Sequence, residues 1–290
     1  MRRANPLPAG PVPPMIPMRI LEALHKPRAG TTVIVMGILD GKNIVVTGVL
    51  TDASLAYGVA QLALAEGAQV LLTGAGRGLS ITERTARKLS HDIKVVEFDV
   101  TVDEHVASAR LAAQSHLGRV DGVLHAIGFA PAVCLGDDFM AAQWSDVSVA
   151  MQISAYSLKT LADSFVPLMT SGGTIVGLDF DNTVAWPAYN WMGVAKAALE
   201  STNRYLAKEL GSKNIRCNLV AAGPIRTMAA KSIPGFQKFE DVWDERAPLG
   251  WDVNDSSAVA RTCVAMLSDW FPATTAEIVH VDGGFHAMGV

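Results

Sequence analysis

A tyrosine and a lysine seven positions apart, Tyr189 and Lys196, are the residues of this sequence whose types and spacing best suit chemistry. On a helix, seven residues make about two turns, which places both side chains on one face. A nearby ammonium group stabilises a phenolate and binds hydroxyl groups of a ligand. The same spacing also arises from a core tyrosine and a surface lysine. Because the pair follows the fifth predicted strand, its position favours the chemical role.

The end of the first predicted strand has the features of a phosphate-binding turn. Gly48 and Val49 close this strand, and Ser54 and Leu55 stand where a helix begins. Free backbone N–H groups and the helix dipole favour a diphosphate at such a place. An ordinary turn with a serine N-cap fits the same residues, since the loop lacks a full G-x-G-x-x-G pattern.

Other strand ends strengthen the prediction of a dinucleotide site. Asp99 and Val100 close the third strand, where the carboxylate could accept a bond from an adenine amino group; Ala126 and Gly128 close the fourth, where a ribose or nicotinamide ring could lie against the backbone. Ligands bind beyond the carboxyl ends of parallel strands, so sites in register support one another. The second strand leads to Arg77, which could meet a 2′-phosphate or stay solvated. Local chemistry therefore leaves NADH and NADPH both open.

Short β-branched runs alternate with longer stretches of helical periodicity from Lys42 onward. This alternation predicts an α/β fold, a doubly wound Rossmann-type three-layer sandwich with a seven-stranded parallel sheet. The predicted strands are 43–47, 69–73, 94–98, 122–126, 174–178, 215–220 and 277–281. The predicted helical stretches lie near 54–66, 80–90, 103–117, 143–169, 188–211 and 255–269.

The chain is expected to hold one Rossmann-fold domain over residues 37–290. Residues 1–36 carry seven of the fourteen prolines and are predicted to form a disordered tail, part of which could reflect an upstream start codon. Residues 225–247 mix apolar and polar side chains around Pro234-Gly235. We interpret this segment as a mobile substrate-binding lid rather than a core element.

Composition excludes several classes of function. Half of the residues are apolar, 18% are charged and the net charge is -4, so there is no basic excess for nucleic acid. No run approaches the roughly 18 apolar residues of a membrane helix. Cys134, Cys217 and Cys263 are far apart and predict a reducing cytoplasm rather than disulfides or zinc. Neither an H-E-x-x-H metal motif nor a G-x-S-x-G nucleophile elbow occurs.

From about residue 37 to residue 290 the chain closely resembles the NADH-dependent enoyl-acyl-carrier-protein reductases of bacterial type II fatty-acid synthesis, a branch of the short-chain dehydrogenase/reductases. The motifs that carry the resemblance are Gly48 through Ser54-Leu55-Ala56, His125-Ala126-Ile127-Gly128-Phe129, Pro187-Ala188-Tyr189 with Lys196, Ala222-Gly223-Pro224-Ile225-Arg226-Thr227, and Val281-Asp282-Gly283-Gly284. Ordinary members of the superfamily space the pair as Tyr-x3-Lys and place a serine about a dozen residues upstream. Here Met192 and Val176-Gly177 occupy those regions. Both departures favour an enoyl reductase.

The resemblance implies hydride transfer from NADH to the β-carbon of a trans-2-enoyl thioester, followed by protonation at the α-carbon. Tyr189 would donate a hydrogen bond to the developing enolate oxygen. Lys196 would bind the nicotinamide ribose, and Phe180 would form an apolar wall beside the ring and the thioester. Phe180 could equally be a core phenylalanine at a strand end.

The resemblance also assigns binding residues. Gly48, Val49, Ser54 and Leu55 would contact the diphosphate or ribose, Asp99 and Val100 the adenine, Ala126 and Gly128 the central part of the cofactor, and Ile225 and Thr227 the carboxamide or phosphates. The acyl pocket would be lined by Phe180, Trp186, Tyr189, Met192, Ile225, Met228 and Ile233. Apart from Tyr189, these apolar side chains would also serve simple lid packing.

Three further expectations concern substrate and assembly. The lid is shorter between Thr227 and Trp243 than in long-chain-specific members of the family, which predicts a preference for short or medium enoyl chains. The partner would be an enoyl-acyl carrier protein, and the assembly a homotetramer. The alternatives are a short-chain dehydrogenase acting on a carbonyl or an alcohol and a non-catalytic dinucleotide-binding regulator.

Overall fold

One seven-stranded parallel sheet organises the structure, with the strand order β3-β2-β1-β4-β5-β6-β7. The computed structural model of the chain describes residues 36–289. The strands are β1 (Asn43–Val46), β2 (Gln69–Gly74), β3 (Lys94–Glu97), β4 (Gly122–His125), β5 (Gly173–Asp179), β6 (Ile215–Ala222) and β7 (Ile278–Val281). All seven predicted strands are confirmed, each with ends within two residues of the prediction. The prediction of a tail over residues 1–36 falls, apart from Met36, outside the described residues.

Helices cover both faces of this sheet, which confirms the three-layer sandwich. They are α1 (Leu55–Ala65), α2 (Arg77–Leu89), α3 (Asp103–Leu117), α4 (Trp144–Met151), α5 (Ser157–Phe165), α6 (Asn190–Leu210), α7 (Gln237–Arg246) and α8 (Ser257–Leu267). Helices α3, α5 and α6 share one hydrophobic cluster, and α1 and α8 share the other. Within residues 36–289, no helix combines the length and the hydropathy that a membrane crossing requires.

The central strands are apolar on both sides because each side faces a helical layer. In β1, Val45 belongs to the cluster under α3, α5 and α6, whereas Ile44 and Val46 belong to the cluster under α1 and α8. This alternation follows the two-residue period of a strand. It explains why the strands appear in the sequence as continuous β-branched runs, which are typical of a parallel sheet buried on both faces.

The prediction of one helical stretch over residues 143–169 was wrong in its continuity. A π-helical segment, Gln152–Tyr156, separates α4 from α5, and a 3₁₀ turn containing Pro167 follows α5. Ser154 in this segment and Ser157 at the start of α5 contact the end of β4 and the loop after it. Ser154 Oγ accepts a bond from the Phe129 N–H (2.9 Å) and donates to the Phe129 carbonyl (2.8 Å), and Ser157 Oγ contacts His125. Such single-turn π segments occur frequently at functional sites.

The interpretation of residues 225–247 as lacking a core element was also wrong for their second half. Helix α7 buries Phe239 and Trp243, which are 5% and 2% exposed, in an aromatic cluster with Ala247 and Phe285. Arg226 anchors the helix through Glu240, with Nε to Oε1 at 2.5 Å and Nη2 to Oε2 at 2.6 Å. The sequence pattern misled because large aromatic residues alternate here with charged ones. That the first half acts as a lid stays a prediction.

His125, at the end of β4, is a buried histidine whose tautomer follows from its neighbours. Ser157 Oγ donates to the Ile153 carbonyl (2.7 Å), so it must accept from His125 Nε2–H, also at 2.7 Å. His125 Nδ1 is buried and has no partner among the described residues. Burial, with a smaller contribution from the Lys196 charge, lowers the pKa of His125 from 6.5 to about 3. The imidazole is therefore neutral at physiological pH.

This lowered pKa predicts a specific form of acid sensitivity. Between pH 6.5 and about 3, the unfolded chain binds a proton at His125 that the native state does not. The stability contributed by neutral His125 is therefore complete above pH 6.5 and is lost on acidification by about 1.4 kcal/mol per pH unit. In chemical unfolding from pH 7 to 4.5, we expect His125→Gln to show the shallower decline. His91→Gln, at an exposed histidine, is the control, and equal slopes for His125→Gln and the parent would contradict the assignment.

Candidate active site

A cavity of about 880 Å³ opens beyond the carboxyl ends of the strands. It lies between β1 and β4, where the strand order reverses its direction across the sheet. This is the usual ligand position in doubly wound sheets. Its walls come from the turns after β1 to β6, from the start of α6 and from the segment before α7. We call the part lined by Gly48, Ser54 and Asp99 the polar wall, and the part lined by Phe180, Tyr189 and Ile233 the aromatic wall.

The turn after β1 approaches the end of β4 so closely that only glycine fits. Gly48 has φ +78°, and a Cβ atom at this position would overlap the carbonyl oxygen of Ala126. Thr47 Oγ1 ties the same two strands together, since it donates to the Leu124 carbonyl (3.0 Å) and accepts from the Ala126 N–H (2.8 Å). The backbone of this turn therefore forms a smooth floor that a flat or extended ligand can touch.

Helix α1 begins at this floor without a side-chain cap. Ser54 Oγ donates to the Thr51 carbonyl (2.6 Å) and makes no capping bond to the helix. The first N–H groups of α1 and the positive end of its dipole are therefore available to an anion. At the far end of the cavity, Asp99 Oδ1 accepts bonds from the backbone N–H (2.9 Å) and the hydroxyl (2.6 Å) of Thr101. This fixes the Asp99 carboxylate and leaves Oδ2 available to a ligand donor.

Tyr189 stands at the start of α6 between two residues with left-handed backbone conformations. Ala188 has φ 59° and Asn190 has φ 52°, values that non-glycine residues seldom adopt. Asn190 Nδ2 donates to the carbonyls of Gly136 and Asp138, both at 3.1 Å, and the Gly136 N–H donates to the Ala188 carbonyl (2.9 Å). The loop after β4 thus clamps the backbone on both sides of Tyr189, which is itself 7% exposed.

Burial disfavours the charged form of each member of the pair, the phenolate of Tyr189 and the ammonium group of Lys196. Burial, assisted by the nearby Asp179 carboxyl, raises the pKa of Tyr189 above its usual value. Lys196 Nζ donates to the Leu178 carbonyl (2.9 Å) and lies 3.8 Å from Asp179 Oδ1. Burial lowers the pKa of Lys196, whereas the Asp179 charge opposes that shift. Tyr189 is therefore available as a hydrogen-bond donor across the physiological pH range.

Phe180, directly after β5, is the centre of an aromatic cluster. Its ring centroid lies 5.0 Å from that of Tyr189, 5.5 Å from Trp186 and 5.8 Å from Phe239. The cluster separates the large cavity from a second one of about 620 Å³. Phe180 and Tyr189 line the large cavity, whereas Trp186 lines the second and donates from Nε1 to the Asp181 carbonyl (2.6 Å).

Comparison with known proteins decides the family. The model of the enoyl-(acyl carrier protein) reductase family matches residues 48–286, which include the turn after β1, the Tyr189 and Lys196 pair and the closing strand. The chain belongs to the enoyl-(acyl carrier protein) reductase family.

The chain matches several named relatives over almost the whole length of each relative. The chain is 47% identical to the enoyl-[acyl-carrier-protein] reductase [NADH] of Mycolicibacterium smegmatis, across 86% of this chain and 97% of the relative. It is 38% identical to the NADH enzyme FabI of Aquifex aeolicus, across 88% of this chain and 95% of the relative. It is 37% identical to the NADPH enzyme FabI of Staphylococcus aureus, across 86% and 98%.

Most of the residues that the resemblance to enoyl reductases assigned are brought together at the large cavity. They are Gly48, Ser54, Leu55, Asp99, Val100, Ala126, Gly128, Phe180, Tyr189, Met192, Lys196, Ile225, Thr227, Met228 and Ile233. Two others are not. Val49 points its side chain into the core under α1, and Trp186 faces the second cavity. Val49 is fully buried because the left-handed turn at Gly48 directs the next side chain inward.

Several lining residues of this reductase were missed in the sequence. Ile153 reaches the cavity from the π-helical segment, and Phe239 reaches it from α7. Asp179 also lines the cavity, although sequence reasoning gave a role only to Phe180, the next residue. A carboxylate at the end of a β-branched strand was the available signal for Asp179. In the described part of the chain, no cluster of histidine, cysteine, aspartate or glutamate has the geometry of a metal site.

Proposed function

We propose that this member of the family is an NADH-dependent enoyl-acyl-carrier-protein reductase that saturates trans-2-enoyl thioesters in fatty-acid elongation. The observation that carries the proposal is the placement of a buried, neutral Tyr189 next to Phe180 in the large cavity, which Lys196 also lines. NADH, when bound, supplies a hydride to the substrate β-carbon. The residues of the chain bind, orient and exclude water around that transfer.

The polar wall suits a dinucleotide along its length. Gly48 gives the diphosphate close access to the backbone, and the uncapped start of α1 at Ser54 and Leu55 favours its charge. The available oxygen of Asp99 suits the adenine amino group, with Val100 beside it. Ala126 and Gly128 leave room for the central part of the cofactor. Lys196 would bind the nicotinamide ribose, and Ile225 and Thr227 would close the opposite side.

The aromatic wall suits the reacting end of the substrate. The Tyr189 hydroxyl would donate a hydrogen bond to the thioester oxygen as enolate charge develops there. Phe180 would cover the reacting carbons and exclude water, and Met192, Met228 and Ile233 would contact the hydrocarbon chain. The enolate then takes a proton from the solvent at the α-carbon, which gives the saturated acyl thioester.

NADH rather than NADPH is the proposed physiological cofactor. Arg77, the residue that could meet a 2′-phosphate, is exposed at the start of α2 and does not line the cavity. Among the relatives described above, two are named for NADH and one for NADPH. Kinetics with both cofactors at equal concentration should give the larger kcat/KM with NADH.

The decisive experiment follows oxidation of NADH by its absorbance with crotonyl and 2-octenoyl thioesters. We expect turnover with both, and less than about one percent of that rate with a 3-oxoacyl thioester, which is the substrate of the rival short-chain dehydrogenase. Turnover of the 3-oxoacyl thioester alone would establish the rival. Binding of NADH without turnover of either substrate would establish a dinucleotide-binding regulator.

Short or medium enoyl chains are the proposed substrates, because the lid is short. Ile225, Met228, Ile233 and Phe239 are the apolar side chains that line the cavity on its lid side. Each buried methylene contributes about 0.8 kcal/mol, whereas carbons beyond the cavity contribute nothing. We therefore predict that kcat/KM rises from C4 to about C8 and rises no further up to C16. Steady-state kinetics on a C4 to C16 series would refute this if C16 were the best substrate.

The proposed assembly is a homotetramer. Leu111 on α3 and Tyr205 on α6 are 64% and 71% exposed on helices of the same layer, and apolar side chains exposed together are common at subunit interfaces. Light scattering coupled to gel filtration should give four times the chain mass.

Acyl carrier protein is the proposed macromolecular partner. The three buried, unpaired cysteines support a cytoplasmic location, where thiols stay reduced.

A further inference from the structure

Asp179, the last residue of β5, is a buried carboxylate without hydrogen bonds. Its side chain has no solvent exposure, and neither oxygen has a hydrogen-bond partner among the described residues. Burying a carboxylate without partners is costly, so such groups in folded proteins usually have a function or a counter-charge. Asp179 also lines the large cavity, beside the proposed site of hydride transfer.

The nearest counter-charge is the ammonium group of Lys196. Nζ lies 3.8 Å from Asp179 Oδ1 and donates one hydrogen bond to the Leu178 carbonyl (2.9 Å). An ammonium group has three donors in a fixed tetrahedral arrangement. The carbonyl takes one and the carboxylate attracts a second, so the third is directed away from both.

Other charged groups nearby are occupied or neutral. Glu200, on the same helix as Lys196, accepts a bond from Asn182 Nδ2 (2.5 Å). Asp181 accepts bonds from the backbone N–H (3.2 Å) and the hydroxyl (3.0 Å) of Thr183. His125, which faces Lys196 from β4, is neutral, as is Tyr189. Asp179 is therefore the carboxylate free to balance the lysine.

Each member of this pair shifts the titration of the other. Burial raises the pKa of Asp179 to about 7, and the Lys196 charge opposes this rise, whereas Glu200 and Asp181 add to it. Burial lowers the pKa of Lys196, and Asp179 opposes that fall. Removal of either charge leaves the other buried and unbalanced.

We propose that Asp179 is a positioning residue that keeps Lys196 protonated and directs its third N–H into the cavity. Asp179 itself touches neither substrate nor cofactor in this arrangement. The inference rests on the proposed function only where it concerns NADH, since the coupling of the two residues is a property of the chain alone.

The test is an NMR titration of the protein without NADH, labelled with ¹³C at lysine Cε, in which Lys196→Met identifies the Lys196 signal. We expect Asp179→Asn to lower the pKa of Lys196 relative to the parent protein. Asp181→Asn is the matched control, because Asp181 is a buried carboxylate two positions away that bonds Thr183 and not Lys196. In the control we expect the Lys196 signal to titrate as in the parent.

A second measurement follows NADH affinity by fluorescence between pH 6 and 9. In Asp179→Asn, the loss of the lysine charge with rising pH should weaken NADH binding by roughly tenfold more than in the parent. If Asp179→Asn does not fold, the reciprocal variant decides. In Lys196→Gln labelled at aspartate Cγ, the pKa of Asp179 must rise above its parent value.

An unchanged or raised pKa of Lys196 in Asp179→Asn would overturn the proposal, as would an unchanged pKa of Asp179 in Lys196→Gln. Absence of enoyl reductase activity in the parent would overturn the proposed function instead, and it would leave the titration result standing. The two failures are therefore distinguishable.

Discussion

Gly48→Ala is expected to abolish NADH binding and to destabilise the protein by about 3 kcal/mol. The alanine Cβ would overlap the Ala126 carbonyl, and φ +78° is unfavourable for any residue with a Cβ. Either the turn after β1 or the end of β4 must move, and both line the proposed cofactor site. Isothermal titration with NADH and urea unfolding measure the two effects.

A second glycine separates the steric effect from the backbone effect. Gly41 has φ +70°, but no atom beyond its chain neighbours lies within 4 Å of the place that a Cβ atom would occupy. Gly41→Ala therefore carries only the dihedral cost of about 1 kcal/mol. We expect this control to bind NADH like the parent. Normal NADH affinity in Gly48→Ala would show that the turn does not contact the cofactor.

Tyr189→Phe is expected to lower kcat by about 10² to 10³-fold while NADH affinity changes by less than about twofold. The substitution removes one hydroxyl and keeps the ring that packs 5.0 Å from Phe180. A hydrogen bond to developing enolate charge is stronger in the transition state than in the ground state, so its loss falls on kcat. Stopped-flow and steady-state kinetics with octenoyl thioester measure it.

The control for this variant is Tyr156→Phe, since Tyr156 is 54% exposed and does not line the cavity. Because the pKa of Tyr189 is raised, kcat in the parent should show no loss from phenol ionisation between pH 6 and 9. If Tyr189→Phe keeps kcat within about twofold of the parent, the proposed donor role of the hydroxyl is wrong.

The sheet was predictable because the pattern that forms each strand lies in residues close together in the sequence. Residues 44–46 of β1 are apolar on both sides, and both sides are buried, so composition alone marks such a run as a strand. The helix spacing of Tyr189 and Lys196, read together with their place after β5, likewise indicated the reacting end of the cavity. These features depend on residues close together in the sequence.

The remaining features depend on contacts that the sequence pattern does not contain. A π-helical segment has i→i+5 hydrogen bonds in place of i→i+4 bonds, and here it accompanies the bonds of Ser154 and Ser157 to the end of β4 and the loop after it. The direction of Val49 depends on the backbone at Gly48. The sequence does not show whether Asp179 is exposed or buried, and its role follows only from its burial beside Lys196.

The left-handed pair around Tyr189 limits how this pocket can evolve or be redesigned. At position 190, only asparagine, aspartate and glycine adopt φ near 52° at little cost, and of these only asparagine also donates to Gly136 and Asp138. Met192 and Ile233, in ordinary backbone conformations, can be exchanged for other apolar residues to reshape the acyl chain specificity. Related enzymes should therefore vary at pocket positions such as Met192 and Ile233, and they should keep asparagine at position 190.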